Sequence, residues 1–409
     1  MLAGCRALDL TDEKGFLCGK ILADLGADVI KVERPGGDPS RRIGSFWHDV
    51  VEPERNLYWW AYNSNKRGIT LNLEVADGKQ IFKELVSTTD FVIESFPPGH
   101  MEELGIGYST LSSVKKGIIL TSITPFGQAG PYRDYKASDI VVMGMAGTLY
   151  LTGESEYPPV NISIPQACLH AGADAAVGTM IAYYHREMTG EGQHVDISMQ
   201  QSTALFLANA IPFWELQGIV MRRAGVFRTG MSTDVVQRQV WRCKDGYIFF
   251  VLLGGLVGAR TGRRLTEWIA EGMDSGHLQT VDWDNFDMAN VTQEVIDQIS
   301  RPIEEFFLLH TKRELLEEAV KRRVSLCPLS SIQDLLGDAT LKTRNFWVEI
   351  EHPELGTSIS YPREFVKSSE KALLTRFRAP LIGEHNEEIY DEIGLSRQGL
   401  ALLKQAGVV

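Results

Sequence analysis

The chain has 409 residues, 44% of them hydrophobic and 23% charged, which is the make-up of a globular protein large enough for two domains. With 53 acidic against 41 basic residues its net charge is −12, which argues against a duplex nucleic-acid partner but leaves room for local basic pockets. In chain order, Ala7–Leu10 reads as a short apolar strand, Gly19–Leu25 has helical spacing, and Ala27–Val32 reads as a buried strand. The alternation continues with strands at Ile69–Leu73, Phe91–Ile93 and Gly117–Ile123 and a helix at Gly78–Leu85, which predicts a parallel sheet covered by helices.

From Ala167 to His185 the sequence is rich in alanine, with Gly172 and Gly178 on a small-residue stripe, so a long buried helix packed closely on a neighbour is expected. The turn around Thr189–Gln193 ends it, and His194–Ser198 returns as a strand. After about Gly225 the character changes. Val240–Cys243 and Gly246–Leu252 flank an Asp-Gly step typical of a hairpin, and helical segments follow at Arg264–Ala270, Val295–Leu308 and Lys312–Arg322. The tail from Leu335 regains αβ character and ends in a helix near Arg397–Gln405, as if folding back on the first domain.

The cysteines Cys5, Cys18, Cys168, Cys243 and Cys327 are scattered, with no CxxC and no metal-ligand spacing, which fits reduced thiols in the cytosol. The start MLAGCRALDL lacks a basic segment followed by a long apolar core, and no stretch reaches the roughly 18 apolar residues of a membrane helix. A cytoplasmic location and no membrane partner are therefore expected. Basic groups at Lys66-Arg67, Arg222-Arg223, Arg263-Arg264 and Lys321-Arg322-Arg323 could each meet an anion, although solvated surface is the commoner use of such groups.

Several segments carry a resemblance. They are Leu22–Arg42 (LADLGADVIKVERPGGDPSRR), Asn63–Asn72 (NSNKRGITLN), Val92–Tyr108 (VIESFPPGHMEELGIGY), Phe126–Asp139 (FGQAGPYRDYKASD), Thr189–Ser198 (TGEGQHVDIS), HPELG at His352–Gly356, and Ala379–Gly394. Seven such segments in one order make the chain resemble the family III CoA-transferases, the group containing formyl-CoA transferase, carnitine CoA-transferase and α-methylacyl-CoA racemase. The resemblance implies an α/β fold in which a large open Rossmann-like domain is built from both chain ends and a smaller mixed domain is inserted. In this chain the parts are expected at 1–198, a linker at 199–225, the small domain at 226–330, and the large domain again at 331–409. Two chains would interlink like rings.

The resemblance also implies a site. No cofactor is bound permanently; coenzyme A and acyl-CoA are substrates, with a carboxylic acid as acceptor. Arg34 and Lys136 would meet CoA phosphates, Leu71 would line the adenine slot, and Ser95 and Phe96 would border the pantetheine channel. Against this, Leu71 and Phe96 also suit a core, and Arg34 and Lys136 a surface. Departures from the family are visible. Pro97 and Glu103 stand where basic residues are usual, and the Thr11–Phe16 loop beside the thioester is short and lacks a Gly-Pro.

The family's nucleophile is an aspartate that attacks acyl-CoA to form an anhydride, from which CoA returns to give an aspartyl-CoA thioester. It follows a Pro-x-Ala step, ten residues before a glycine. Here Pro165-Gln166-Ala167 leads to Cys168, and Gly178 keeps the register. A cysteine attacking acyl-CoA would only make another thioester. Asp139, preceded by Ser138 rather than a catalytic histidine, is expected to support the loop at most. The expectation is a catalytically silent subunit of a heteromer moving CoA between succinyl-CoA and an acid such as benzylsuccinate, beside a paralogous subunit that carries the aspartate. The competing readings are a self-sufficient homodimeric transferase or acyl-CoA isomerase, and a CoA-ester binding or regulatory protein.

Overall fold

The structure, a computed structural model, describes residues 1–229, 235–363, 365–369 and 377–409. The described residues form two compact units. One comprises Met1–Thr148, Ile162–Ala208 and Thr340–Val409; the other comprises Leu149–Asn161 and Asn209–Ala339.

The first unit is built on a parallel sheet. Its strands are β1 (Arg6–Leu10), β2 (Asp28–Glu33), β3 (Arg67–Thr70), β4 (Phe91–Glu94), β5 (Ile119–Thr124) and β6 (His194–Ser198), in the order β3-β2-β1-β4-β5-β6. Strands β2, β4 and β5 are buried along almost their whole length, as expected for parallel strands covered on both faces. The crossover helices are α1 (Phe16–Asp24), α2 (Leu57–Asn63), α3 (Ala76–Ser87), α4 (His100–Glu103), α5 (Tyr108–Val114), α6 (Asp139–Met145) and α7 (Gln166–Thr189). This doubly wound order reverses between β1 and β4, and there the carboxyl ends of neighbouring strands part to leave a crevice. The chain terminus packs into the same core. Val408 and Val409 lie among Leu8, Ile30 and Leu71, and the Asn72 amide donates to the Val408 carbonyl at 2.8 Å.

The small-residue stripe of α7 does permit close approach. A Cβ on Gly172 would stand 2.9 Å from Leu17 Cβ of α1, and one on Gly178 would stand 3.0 Å from Val195 of β6. The helix is not buried all round, however. Val177, Ile181, Tyr184 and Met188 form a stripe along its other face, and each is more than half exposed. An apolar composition cannot distinguish a face that meets its own core from one that no part of its own chain covers.

The second unit holds the antiparallel pair Val240–Cys243 and Gly246–Phe250, with Leu326–Pro328 added beside it. Helices Gly255–Ala270, Gln293–Leu309 and Lys312–Arg322 close over Trp241, Phe250 and Phe307. The basic groups divide: Arg222, Arg263, Lys321 and Arg323 are exposed, the commoner use of such groups, whereas others are tied up inside the chain. Lys66 is buried against Asp9, and Arg67 pairs with Asp28, Glu388 and Glu392. Arg223 donates to the Glu154 and Tyr157 carbonyls, Arg263 pairs with Asp284, and Arg322 pairs with Glu271. Among the described residues no helix is long and apolar enough to cross a membrane.

Candidate functional site

At the carboxyl ends of β1 to β4, where the strand order reverses, lies a cavity of about 530 Å³. Its lining brings together four of the five residues singled out from sequence: Arg34, Leu71, Ser95 and Phe96. Leu71 and Ser95 are buried in its wall, Phe96 is half-buried, and Arg34 is exposed at its rim. Lys136 is elsewhere, exposed on the loop between β5 and α6 and outside the cavity lining.

The two arginines at either end of ERPGGDPSR have opposite fates. Arg41 is buried, clamped by Glu33 at 2.6 Å, Glu54 at 2.7 Å and the Pro380 carbonyl, with its guanidinium 3.7 Å from the Trp59 ring centre. Arg34 makes no ion pair among the described residues; its Nε donates only to the Gly37 carbonyl, at 3.4 Å. It is the cation at this cavity left available to an anion. His100 also lines the cavity, within 4 Å of the carboxylates of Glu74 and Glu103. Asp12, Asn72, His100 and Gly407 were missed by reading the sequence. Gly407 is 335 residues from Asn72, to which its carbonyl is bonded, and no local pattern announces that meeting.

The β1–α1 loop beside the cavity stands on a buried charge cluster. Asp9 of β1 pairs with Lys66 at 2.8 Å and faces Lys31, its register partner in β2, at 3.6 Å, and all three are fully buried. Burial pushes the Asp9 carboxyl up, but Lys66 and then Lys31 overcome this and hold it below the usual carboxylate range. Burial brings Lys66 down to about 8 in spite of Asp9. Asp9 Oδ1 accepts from the Thr11 amide and hydroxyl, at 3.0 and 2.6 Å, so the cluster fixes the start of the loop.

At the far side of that loop is Cys168, buried in the first turn of α7. The Asp139 carboxylate accepts from the Gln166 amide at 3.2 Å and from the Cys168 amide at 3.0 Å, and so caps the helix from outside its own segment. A helix start ordinarily depresses a thiol pKa. Here burial, and after it the Asp139 carboxylate, raises the Cys168 thiol, which therefore stays protonated at neutral pH. The charges of Glu13 and Lys14 reach the same thiol, and burial raises the Tyr58 phenol, whose hydroxyl donates to the Glu13 carbonyl.

Beneath the cavity, Glu94 ends β4 almost fully buried and accepts from the Phe96 amide at 2.6 Å. Burial raises its carboxyl to about 7, with Glu102 and Asp12 adding to the rise and Ser122 and the Phe96 amide opposing it. Among the tryptophans, Trp59 and Trp60 are core, Trp47 is half-buried and Trp214 is exposed.

Known proteins share this fold. A family model described as CoA-transferase family III matches residues 2–386. The chain is 34% identical over 406 residues to the BbsE subunit of succinyl-CoA:(R)-benzylsuccinate CoA-transferase from Thauera aromatica, covering 99% of this chain and 97% of that one. It is 30% identical over 395 residues to the beta subunit of succinyl-CoA–L-malate CoA-transferase from Chloroflexus aurantiacus, covering 96% and 94%. The crystal structure of a CAIB/BAIF family protein from Brucella suis superposes with a TM-score of 0.81 at 28% identity, over 96% of this chain and 99% of that one. The chain belongs to the family III CoA-transferases, whose substrates are coenzyme A thioesters.

Proposed function

We propose that this chain is the non-catalytic subunit of a heteromeric CoA-transferase that moves CoA between succinyl-CoA and a carboxylic acid such as benzylsuccinate. The observation that carries this reading is the buried thiol of Cys168 at the helix start where the family places its aspartate. A carboxylate there can form an anhydride with the acyl group and then hold CoA as a thioester. A thiol attacking acyl-CoA forms one carbon–sulfur bond and breaks another, and releases CoA; the acyl group is again a thioester, and no CoA is held for the acceptor acid. Asp139 is no substitute, because both its oxygens are engaged by helix amides.

A paralogous subunit bearing the aspartate supplies the chemistry. Similarity to subunits of two transferases whose names specify subunits supports this, as does the exposed apolar stripe of α7. In this reading the large domain takes in both chain ends, the small domain is inserted, the two chains interlink, and the enzyme is cytoplasmic. On the same reading the cavity at the strand ends takes the nucleotide of CoA, with Arg34 toward phosphate and Leu71 at adenine; Ser95 and Phe96 border the start of the pantetheine channel, and Lys136 reaches phosphate from its loop outside the cavity.

Intact-mass analysis of the chain, alone and mixed with the aspartate-bearing paralogue after incubation with succinyl-CoA, tests this. The expected result is a CoA adduct on the paralogue alone and transfer activity only in the mixture. An adduct on this chain, at Cys168 or any carboxylate, overturns the reading and makes the chain self-sufficient.

A further inference from the structure

Two loops flank the crevice between β1 and β4, and they are tied together across it. The Asp12 amide donates to Ser95 Oγ at 2.8 Å, and the Ser95 hydroxyl donates back to Asp12 Oδ1 at 2.8 Å. Both residues line the cavity, and among the described residues its lining reaches neither Glu13, Lys14 nor Cys168. Glu13 and Lys14 follow Asp12 directly and lead into α1, whose Leu17 packs against Gly172 one turn beyond Cys168, so the loop runs from the cavity to the start of α7.

The loop is held at each residue. Thr11 is bound by Asp9 through its amide and hydroxyl, and its carbonyl accepts from the buried Lys31 ammonium. Asp12 is bound by Ser95 and paired with Lys14. The Glu13 amide donates to Ser40 Oγ at 3.3 Å, and the Ser40 hydroxyl returns a bond to the Glu13 carboxylate at 2.6 Å. A serine hydroxyl has one proton to donate, and that of Ser95 is committed to Asp12 rather than turned toward a ligand.

We infer that this cavity accepts the nucleotide end of CoA alone, because the reciprocal Asp12–Ser95 bonds shut the passage by which a pantetheine arm would bring its thioester to Cys168. The inference rests on the reading of the cavity as a CoA site, and it adds a second barrier to transfer, independent of which residue occupies position 168.

The test is equilibrium binding of CoA and of adenosine 3′,5′-bisphosphate to the full-length chain. Wild-type protein is expected to bind both within a few-fold, because the arm is stopped at the Asp12–Ser95 tie. Asp12→Ala removes the side-chain half of the tie and frees the Ser95 hydroxyl to turn toward the arm, so CoA is expected to bind about tenfold more tightly than the bisphosphate. Asp12→Asn keeps the backbone donor and a side-chain acceptor and is expected to behave as wild type. A tenfold preference for CoA in the wild-type protein overturns the inference, as does an unchanged ratio in folded Asp12→Ala. Should Asp12→Ala not fold, the wild-type chain decides through a second reagent. Bromoacetyl-CoA, which would alkylate a thiol with loss of bromide and a proton, is expected to label Cys168 no faster than bromoacetamide; acceleration by the CoA portion overturns the closure. Failure of both nucleotides to bind overturns the nucleotide assignment itself, whereas the silent-subunit reading is decided separately by the succinyl-CoA adducts.

Discussion

The Asp139 carboxylate and the Cys168 amide are 3.0 Å apart, and that one bond disarms both groups. The carboxylate is consumed as a helix cap, and the thiol, instead of being activated by the helix start, is pushed up first by burial and then by the negative charge beside it. Asp139→Ala should therefore destabilise the protein by about 1–2 kcal/mol, the usual range for a lost cap. It should also accelerate alkylation of Cys168 by iodoacetamide. Asp139→Asn should recover most of the stability without slowing the thiol. Urea unfolding and timed peptide mass analysis read the two effects, and an unaltered alkylation rate in Asp139→Ala would count against the electrostatic account.

The strands of the sheet were legible because Ala7–Leu10, Ala27–Val32 and Phe91–Ile93 are apolar runs bounded by turns, which a parallel sheet requires. The long helix that begins beside Cys168 was legible too, through its alanine-rich run with Gly172 and Gly178. What could not be read were partnerships across the sheet. Lys66 looks like half of a surface pair, yet Asp9 neutralises it from 57 residues away. Asp12 and Ser95 are 83 residues apart, and only the reversal of strand order brings their loops together. Composition reports that a side chain is apolar or charged; it does not report what will cover it.

Glu94 gives the stability a defined pH dependence. Its carboxyl is raised from 4.5 to about 7, so between these values the folded protein holds the proton more tightly than the unfolded chain does. Stability from this group is complete below about pH 4.5 and is lost as the pH rises through 7, and a displacement of this size is worth about 3 kcal/mol. Glu94→Gln, which imitates the protonated acid, should be more stable than wild type at pH 8 by an amount of that order and no more stable at pH 4.5. Urea midpoints measured across this range decide it; parallel curves for the two proteins would refute the assignment.

The buried Asp9 cluster predicts an unequal pair of variants. Asp9→Ala strands the ammonium groups of both Lys31 and Lys66 in the core and should cost about 3–5 kcal/mol, as for a buried pair broken on one side. Lys66→Met leaves Asp9 still facing Lys31 and should cost less. Equal losses in chemical denaturation would show that Lys31 does not share the charge.

Arg34 is the cavity's uncommitted cation, whereas Arg41 is fully occupied. Arg34→Ala should weaken binding of adenosine 3′,5′-bisphosphate about tenfold and reduce its sensitivity to salt, while leaving adenosine unaffected. Calorimetric titration at two salt concentrations separates this from a general loss of the pocket, in which adenosine would weaken as well.

The exposed stripe of α7 bears on assembly. Val177, Ile181, Tyr184 and Met188 recur on one face of a helix whose opposite face is packed on α1, and more than half of each is open to solvent in the single chain. Monomeric proteins seldom leave such a row uncovered. If the aspartate-bearing paralogue covers it, Ile181→Glu places an unpaired charge in the middle of the contact and should weaken association by about 2 kcal/mol or more, roughly thirtyfold in Kd. The fold of the chain itself should survive, because Ile181 buries little of its side chain there. Sedimentation of the mixed subunits reads the affinity, and circular dichroism of the variant reads the fold. Unchanged sedimentation with Ile181→Glu would mean that the partner lies on another surface.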